Sequence, residues 1–191
     1  KMKENGFYKI KPEFFDLVNR LGGRYSDRKQ RPVLCCMQDA YIPYLYWAIP
    51  TSNLAHRSQN QIDKIKKWCH EPGIRSCYYH LGHTDRPALF KVSNCFPVTE
   101  KYIDGEYISQ GKHLVIRDKR EIKAIRGKLA RILFDESIHP DKYEQHITRI
   151  RDYLIEEMKT FQKERTPYND LLVSLHRAKG KNKEKNNDPE R

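Results

Sequence analysis

Between Thr51 and Arg57 the chain places two hydroxyls, a carboxamide, an imidazole and a guanidinium in one short run, Thr51-Ser52-Asn53-Leu54-Ala55-His56-Arg57. Thr51 and Ser52 can bond a phosphate oxygen, His56 can move a proton near neutral pH, and Arg57 can clamp an anion with its planar fork. Together these groups suit tight binding or cleavage of a phosphodiester. The plainer alternative is local: a strand end at which Ser52 or Asn53 caps the next helix, the commoner role for such residues.

RNA carries its own nucleophile in the 2′-OH. Cleavage without a metal then needs only proton transfer and charge stabilisation, which His, Lys, Arg, Ser and Thr can supply. DNA lacks that hydroxyl, so a site of this composition points to RNA. Rival chemistries fit the sequence less well. Cys69, His70, Cys77, His80, His83 and Cys95 crowd one region, yet they form no paired Cys-x-x-Cys knuckle. In a strand, Cys77 and His80 would also face opposite ways. There is no phosphate-cradling Gly loop, no Gly-x-Ser-x-Gly elbow and no tight carboxylate cluster. Neither a metal nor another cofactor is expected.

The elements that must hold Thr51–Arg57 follow from pattern. Tyr46 and Trp47 open a strand, Tyr44 to Pro50, that Pro50 is expected to stop because it has no N–H to donate. Its partner is the apolar run Val33 to Gln38, in which Cys35 and Cys36 read as small core residues. Upstream, Gly6 to Ile10 alternates as a strand, and Pro12 opens a helix with Phe14, Phe15, Leu17, Val18 and Leu21 on one face. Gly22-Gly23 ends it. Arg24 to Arg31 is a basic loop, either a solvated connection or a grip on phosphate. Gln61 to Cys69 is a helix with Lys64, Lys66 and Lys67 outward.

Further strands are expected at Ile74 to Leu81, Ala88 to Val92, Phe96 to Ile103 and His113 to Ile116, with Asp104-Gly105 as a hairpin turn. From Asp118 the period becomes helical, with Ile122, Ile125, Leu129, Ile132 and Leu133 on one face. A second stripe through Tyr143, Ile147, Ile150, Leu154, Met158 and Phe161 predicts an antiparallel helical hairpin. The fold class is therefore α+β. Residues 6–163 are expected as one domain, 164–178 as a short, helical C-terminal segment, and 179–191 as a disordered basic tail.

The 191 residues carry a formal charge of +12, with 12 Tyr, 7 Phe and 2 Trp among the basic groups. Such a field attracts polyanions, and the aromatics suit stacking on unpaired bases. No apolar run reaches membrane-spanning length, and no secretory apolar segment opens the chain. Five cysteines without regular spacing argue against a disulfide framework. A cytoplasmic protein without a membrane partner is expected.

Phe7-Tyr8-Lys9-Ile10, an aromatic helix, a basic loop, Arg31-Pro32-Val33-Leu34 and Trp47-Ala48-Ile49-Pro50-Thr51-Ser52-Asn53 follow one another in a familiar order. This order, with Phe96-Pro97-Val98 ahead of the helical hairpin, resembles the ToxN/AbiQ family. Those are endoribonuclease toxins of type III toxin–antitoxin systems, including the TenpN and CptN groups. The resemblance covers about residues 6 to 160 and implies a compact, twisted antiparallel sheet of barrel type, similar to MazF/Kid toxins, with added helices. It also implies metal-independent cleavage to a 2′,3′-cyclic phosphate, in growth arrest or phage defence by abortive infection. A small repeat-derived noncoding RNA antitoxin would be the inhibitory partner, in a toxin–RNA hetero-oligomer.

By position Thr51 and Ser52 match the family's active-site hydroxyls. The departures are specific. Leu54 stands where ToxN has Lys after that pair, which shifts the candidates to His56 and Arg57. Val33 replaces the Lys that follows Pro, leaving Lys29 or Arg31 as substitutes, and Phe14 replaces a Tyr. His56 is thus expected as general base or acid. Arg57, with Lys29 or Arg31, would stabilise charge, and Thr51 and Ser52 would hold the phosphate. Tyr8, Lys9, Arg28, Lys64, Lys67, Lys112 and His113 are candidate RNA contacts. The alternative is a basic RNA-binding protein without catalysis; a DNA-binding regulator is disfavoured for want of a helix-turn-helix.

Overall fold

The computed structural model describes residues 2–25, 33–163 and 174, which fall into two compact units meeting between Asp152 and Tyr153. The first unit is α+β. Its main sheet is antiparallel and curled, with strands β1 (Gly6–Ile10), β2 (Val33–Gln38), β3 (Tyr46–Asn53), β4 (Tyr79–His83), β5 (Pro87–Lys91), β6 (Phe96–Val98) and β7 (Ile103–Glu106). The order is β4-β5-β3-β2-β1-β7, with β6 also pairing β3. A separate hairpin joins β8 (Ile108–Ser109) to β9 (Lys112–His113).

Strand β3 is central, and it corrects the expectation that Pro50 ends the ladder. One edge pairs with β2 as far as Val33 opposite Pro50. The other pairs Tyr46–Ala48 with β6 and then Thr51–Asn53 with β5. Pro50 falls between those two ladders, where a missing N–H removes no rung from either. The strand therefore runs on to Asn53 and changes partner on the way.

Helix α1 (Pro12–Arg20) starts on Pro12 because its missing N–H is unneeded in a first turn. It closes at Gly22, whose φ of +83° suits glycine, with Gly23 N–H donating to Val18 O over 3.0 Å. Its buried face carries Phe14, Leu17 and Val18. Phe14 is fully enclosed, its ring centroid 4.8 Å from Phe96 and 5.6 Å from Tyr102. A hydroxyl there would have no water to meet, so the Phe in place of Tyr belongs to the core. Tyr25 stacks on Phe15 at 5.1 Å, so the basic stretch begins docked on α1 rather than solvated. Arg28, Lys29 and Arg31 lie outside the described residues, as do the side chains of Cys35 and Cys36.

Helix α2 (Gln59–His70) begins two residues earlier than the apolar pattern predicts. Ser58 Oγ accepts from Gln61 N at 3.3 Å and Gln61 Oε1 accepts from Ser58 N at 3.1 Å, a reciprocal capping box. Helix α3 (Lys119–Ile138) is capped by Asp118, whose Oδ1 accepts from Arg120 N at 2.8 Å. Ile125, Leu129 and Ile132 are its buried stripe.

Three expected strands and one expected turn differ, the strand at His113–Ile116 being reduced to Lys112–His113 and an isolated bridge at Val115. Ile74–Cys77 is a 3-10 turn, and only Tyr79–His83 of that stretch is extended. Glu100–Tyr102 is likewise a 3-10 turn. Asp104 and Gly105 are not a hairpin turn: they lie inside β7, with Gly105 opposite Lys9. The tight turn is Gln110-Gly111, where φ is +50° and +72° and the strands β8 and β9 meet. Two successive positive φ values match the right-handed twist of a two-residue hairpin, and there Gln110 accepts the strain.

The second apolar stripe becomes helical only at 147, leaving Tyr143 in the connection after α3. That connection is tied down by polar contacts. Tyr143 Oη donates to Asp135 Oδ2 at 2.7 Å, and the buried Glu136 accepts from Thr148 Oγ1 at 3.2 Å. Residues 147–152 are helical in the first unit, and 153–163 are helical in the second. The predicted segment 164–178 and tail 179–191 lie outside the described residues, save Ser174. Among the described residues no helix is long and apolar enough to cross a membrane.

Candidate active site

Where β3 leaves β6 and joins β5, a cleft of about 570 Å³ opens. One wall is the predicted run: Thr51, Ser52, Asn53, His56 and Arg57, with Gln61 from α2. A second part of the lining is the turn after β4, with Thr84, Asp85 and Arg86. Phe7, Tyr107 and Leu114 line it from β1 and its flank. A second hollow continues past Asn53, Arg57, Asp85 and Arg86 to Ile62 and Gln110.

Local sequence explains the first wall. Asn53 Oδ1 accepts from Ala55 N at 2.8 Å and caps the 3-10 turn Leu54–His56, so the plainer reading holds for Asn53. It does not hold for Ser52. Its Oγ is buried and finds no hydrogen-bond partner among the described residues, and the same is true of Arg57 Nε. An unpaired buried polar atom costs about 1–3 kcal/mol, and two of them lie on this one cleft wall. Thr51 is itself buried, while His56 is exposed at the end of its turn. The two hydroxyl residues thus differ: Thr51 is buried as a whole, while Ser52 is only partly exposed and its buried Oγ has no partner among the described residues.

The second wall was legible only as a turn. Glu121 in the first turn of α3 accepts from His83 N at 2.6 Å, which fixes the end of β4. Thr84 N then donates to Arg86 O at 2.9 Å and closes the turn. Asp85 accepts from Ser109 Oγ at 2.5 Å, from Thr84 Oγ1 at 2.8 Å and from Arg86 Nη2 at 3.3 Å. Those bonds, Ser109 first, hold its carboxyl down at about 2, so it is an anion at any working pH. Nothing local signals that Thr84–Arg86 shares a cleft with Thr51–Arg57. The register that sets Ser52 opposite Leu89 brings them together.

Several expected RNA contacts lie elsewhere. His113 is turned inward: Nε2 is 3.0 Å from Phe7 O, Nδ1 is 3.2 Å from Glu106 Oε1, and the ring packs edge-on to Tyr8. Tyr8 is buried, with its hydroxyl accepting from Lys3 N at 2.6 Å. These two brace β1 against β9 and do not line the cleft. Lys9 sits in the β1–β7 ladder, and Lys112 is exposed at the hairpin tip. Lys64 and Lys67 are exposed on α2, the helix that contributes Gln61 to the cleft, and Lys64 lies 5.2 Å from the Trp68 ring centre.

The cysteine–histidine region is arranged for packing. Cys77 and Cys95 are buried free thiols, and burial pushes the Cys95 thiol far above its usual range. Burial, helped by Lys128, lowers His80 to about 4, so its ring is neutral. Among the described residues no group of three or more His, Cys, Asp or Glu is placed to hold a metal ion.

No family model matches this chain, and no curated protein matches it. The likeness to ToxN/AbiQ toxins therefore rests on the short motifs alone.

Proposed function

We propose that the cleft is the active site of a metal-independent endoribonuclease of the ToxN/AbiQ type. The observation that carries this reading is the convergence of Ser52, His56 and Arg57 on one cleft, with Ser52 Oγ and Arg57 Nε unpartnered. An orphan hydroxyl and an orphan guanidinium N–H are relieved by a ligand that brings acceptor oxygens, and a phosphate brings several. The curled antiparallel sheet with its helices is compatible with the MazF/Kid-like sheet that the resemblance implies.

In this mechanism the 2′-oxygen attacks phosphorus while the bond to the 5′-oxygen breaks. The products are a 2′,3′-cyclic phosphate and a 5′-hydroxyl end. His56 takes the proton from the 2′-OH or gives one to the leaving oxygen; either role needs its exposed position. Arg57 bears the charge that grows on the phosphorane oxygens, and Ser52 holds one of them. Thr51 supports the wall from inside, and Lys29 or Arg31 would add charge from the loop before β2. In the cell this activity serves growth arrest or phage defence, restrained by a small repeat-derived RNA. Tandem direct repeats just upstream of the coding region would support that partner.

The direct test is to incubate the purified chain with total RNA in excess EDTA and map new 3′ ends. Discrete fragments ending in 2′,3′-cyclic phosphate are expected. RNA retained but uncut would favour a binding protein without catalysis. Neither binding nor cleavage would sink the reading.

A further inference from the structure

A permanent carboxylate in a cleft that takes phosphate needs a different partner. Asp85 lines the same cleft as Ser52 and Arg57, and it would repel a phosphate placed against it. It is a poor candidate for the general base, because three donors already stabilise its charged form. Its remaining capacity can be counted. A carboxylate offers about four acceptor positions. On Oδ2 two are taken, by Ser109 Oγ and Arg86 Nη2; on Oδ1 one is taken, by Thr84 Oγ1. One position is left, on Oδ1.

The ligand group that matches a single charged acceptor beside a phosphate site is an N–H of a nucleobase. Exocyclic amino groups of adenine, cytosine and guanine offer one at the base edge. Uracil offers only an N–H between two carbonyl oxygens, both of which a carboxylate repels. We infer that Asp85 is a specificity residue that accepts a hydrogen bond from the amino group of a base flanking the scissile phosphate, and so excludes uracil there. This inference rests on the nuclease reading of the same cleft. Ser109 is then a positioning residue. Its hydroxyl aims the carboxylate from the β8–β9 hairpin but leaves the acceptor itself unchanged.

The experiment uses a pool of single-stranded RNA with randomised bases, cut by the full chain, by Asp85→Asn and by Ser109→Ala. The ends are sequenced and the base preference read at each position flanking the cut. Wild type is expected to disfavour uracil at one flanking position by about tenfold, the worth of one charge-assisted hydrogen bond. Asp85→Asn should cut with that exclusion largely lost. Ser109→Ala should keep the exclusion while cutting more slowly, which a purely bracing role for Asp85 would not give. Uracil accepted equally at every flanking position by wild type, or exclusion retained by Asp85→Asn, would overturn the inference. If the pool is retained but uncut, the nuclease reading fails, and the sequences bound by wild type and Asp85→Asn decide the role of Asp85. A pool neither cut nor retained overturns both.

Discussion

Ser109 Oγ donates to Asp85 Oδ2 across 2.5 Å, and this one bond ties the β8–β9 hairpin to the turn after β4. The two residues are 24 positions apart in the chain. Through it the hairpin holds Asp85, which lines the same cleft as Ser52 and Arg57.

Substitutions on the first wall should separate stability from activity. His56→Ala is expected to slow cleavage by about a hundredfold or more, as loss of a general acid or base does. Arg57→Ala should cost a similar factor through lost charge stabilisation. Ser52→Ala should also slow cleavage, yet leave the melting temperature unchanged or slightly raised, because it deletes a buried hydroxyl that has no partner. A melting curve beside a cleavage time course checks all three. Full activity in both Ser52→Ala and His56→Ala would remove this wall from the mechanism.

The exposed face of α2 should contribute affinity without selectivity. Lys67 is exposed on the same helix as Gln61 of the cleft. Replacing Lys67 with Ala is expected to weaken RNA binding alike for all sequences. It should also reduce the slope of log affinity against log salt by about 0.7, the value for one single-strand phosphate contact. Filter binding over a range of salt would measure it, and an unchanged slope would take Lys67 off the path of the RNA.

Two glycines distinguish backbone from side-chain crowding. A Cβ on Gly23 would lie 2.5 Å from the backbone carbonyl oxygen of Gln145, which cannot swing aside. Gly23→Ala should therefore cost about 1–3 kcal/mol, or several degrees of melting temperature. A Cβ on Gly82 would overlap Glu121 Oε1, the free end of a flexible side chain. Gly82→Ala should cost less in folding, yet it releases His83 N–H from Glu121 and loosens the turn that carries Asp85. Urea titrations rank the two, and equal losses would contradict this distinction.

Acid should destabilise the chain partly through His80. Burial, and then Lys128, lowers its pKa from 6.5 to about 4, while Glu121 Oε1 stands 3.9 Å away. Below pH 6.5 the unfolded chain takes up a proton that the folded ring refuses, so this contribution falls from pH 6.5 down to about 4 and then levels. Above pH 6.5 it is constant. Comparing unfolding free energies of wild type and His80→Gln across that window should show a flatter curve for the variant. Parallel curves would mean that His80 is protonated in the folded state.

Much of the framework can be read along the chain because its causes are local. Pro12 opens α1, Gly22 closes it, Asp118 caps α3, and the apolar periods of β1 and α3 mark their buried faces. The early start of α2 was legible too, since Ser58-x-x-Gln61 is itself the signature of a capping box. Five residues of the run Thr51–Arg57, singled out in the sequence for their polar groups, line one cleft.

Pairing decisions were not legible in this way, because they are settled between residues far apart in sequence. Asp104-Gly105 has the composition of a hairpin turn, but β1 offers it a ladder and Gln110-Gly111 takes the turn. Pro50 looks like a stop, but a change of partner lets β3 pass it. His113 has the polarity of a ligand contact, but its Nε2 bonds Phe7 O and its Nδ1 is turned inward, 3.2 Å from Glu106 Oε1. What the sequence determined by itself was the α+β class, most helix limits and one wall of the cleft, all set by neighbours within a few residues. The tertiary structure alone decided that Ser52 Oγ stays unpartnered among the described residues, and that Asp85 and Arg86 line the same cleft. Those outcomes depend on β3 pairing with β5 and on Ser109 reaching Asp85, contacts that no short stretch of the chain contains.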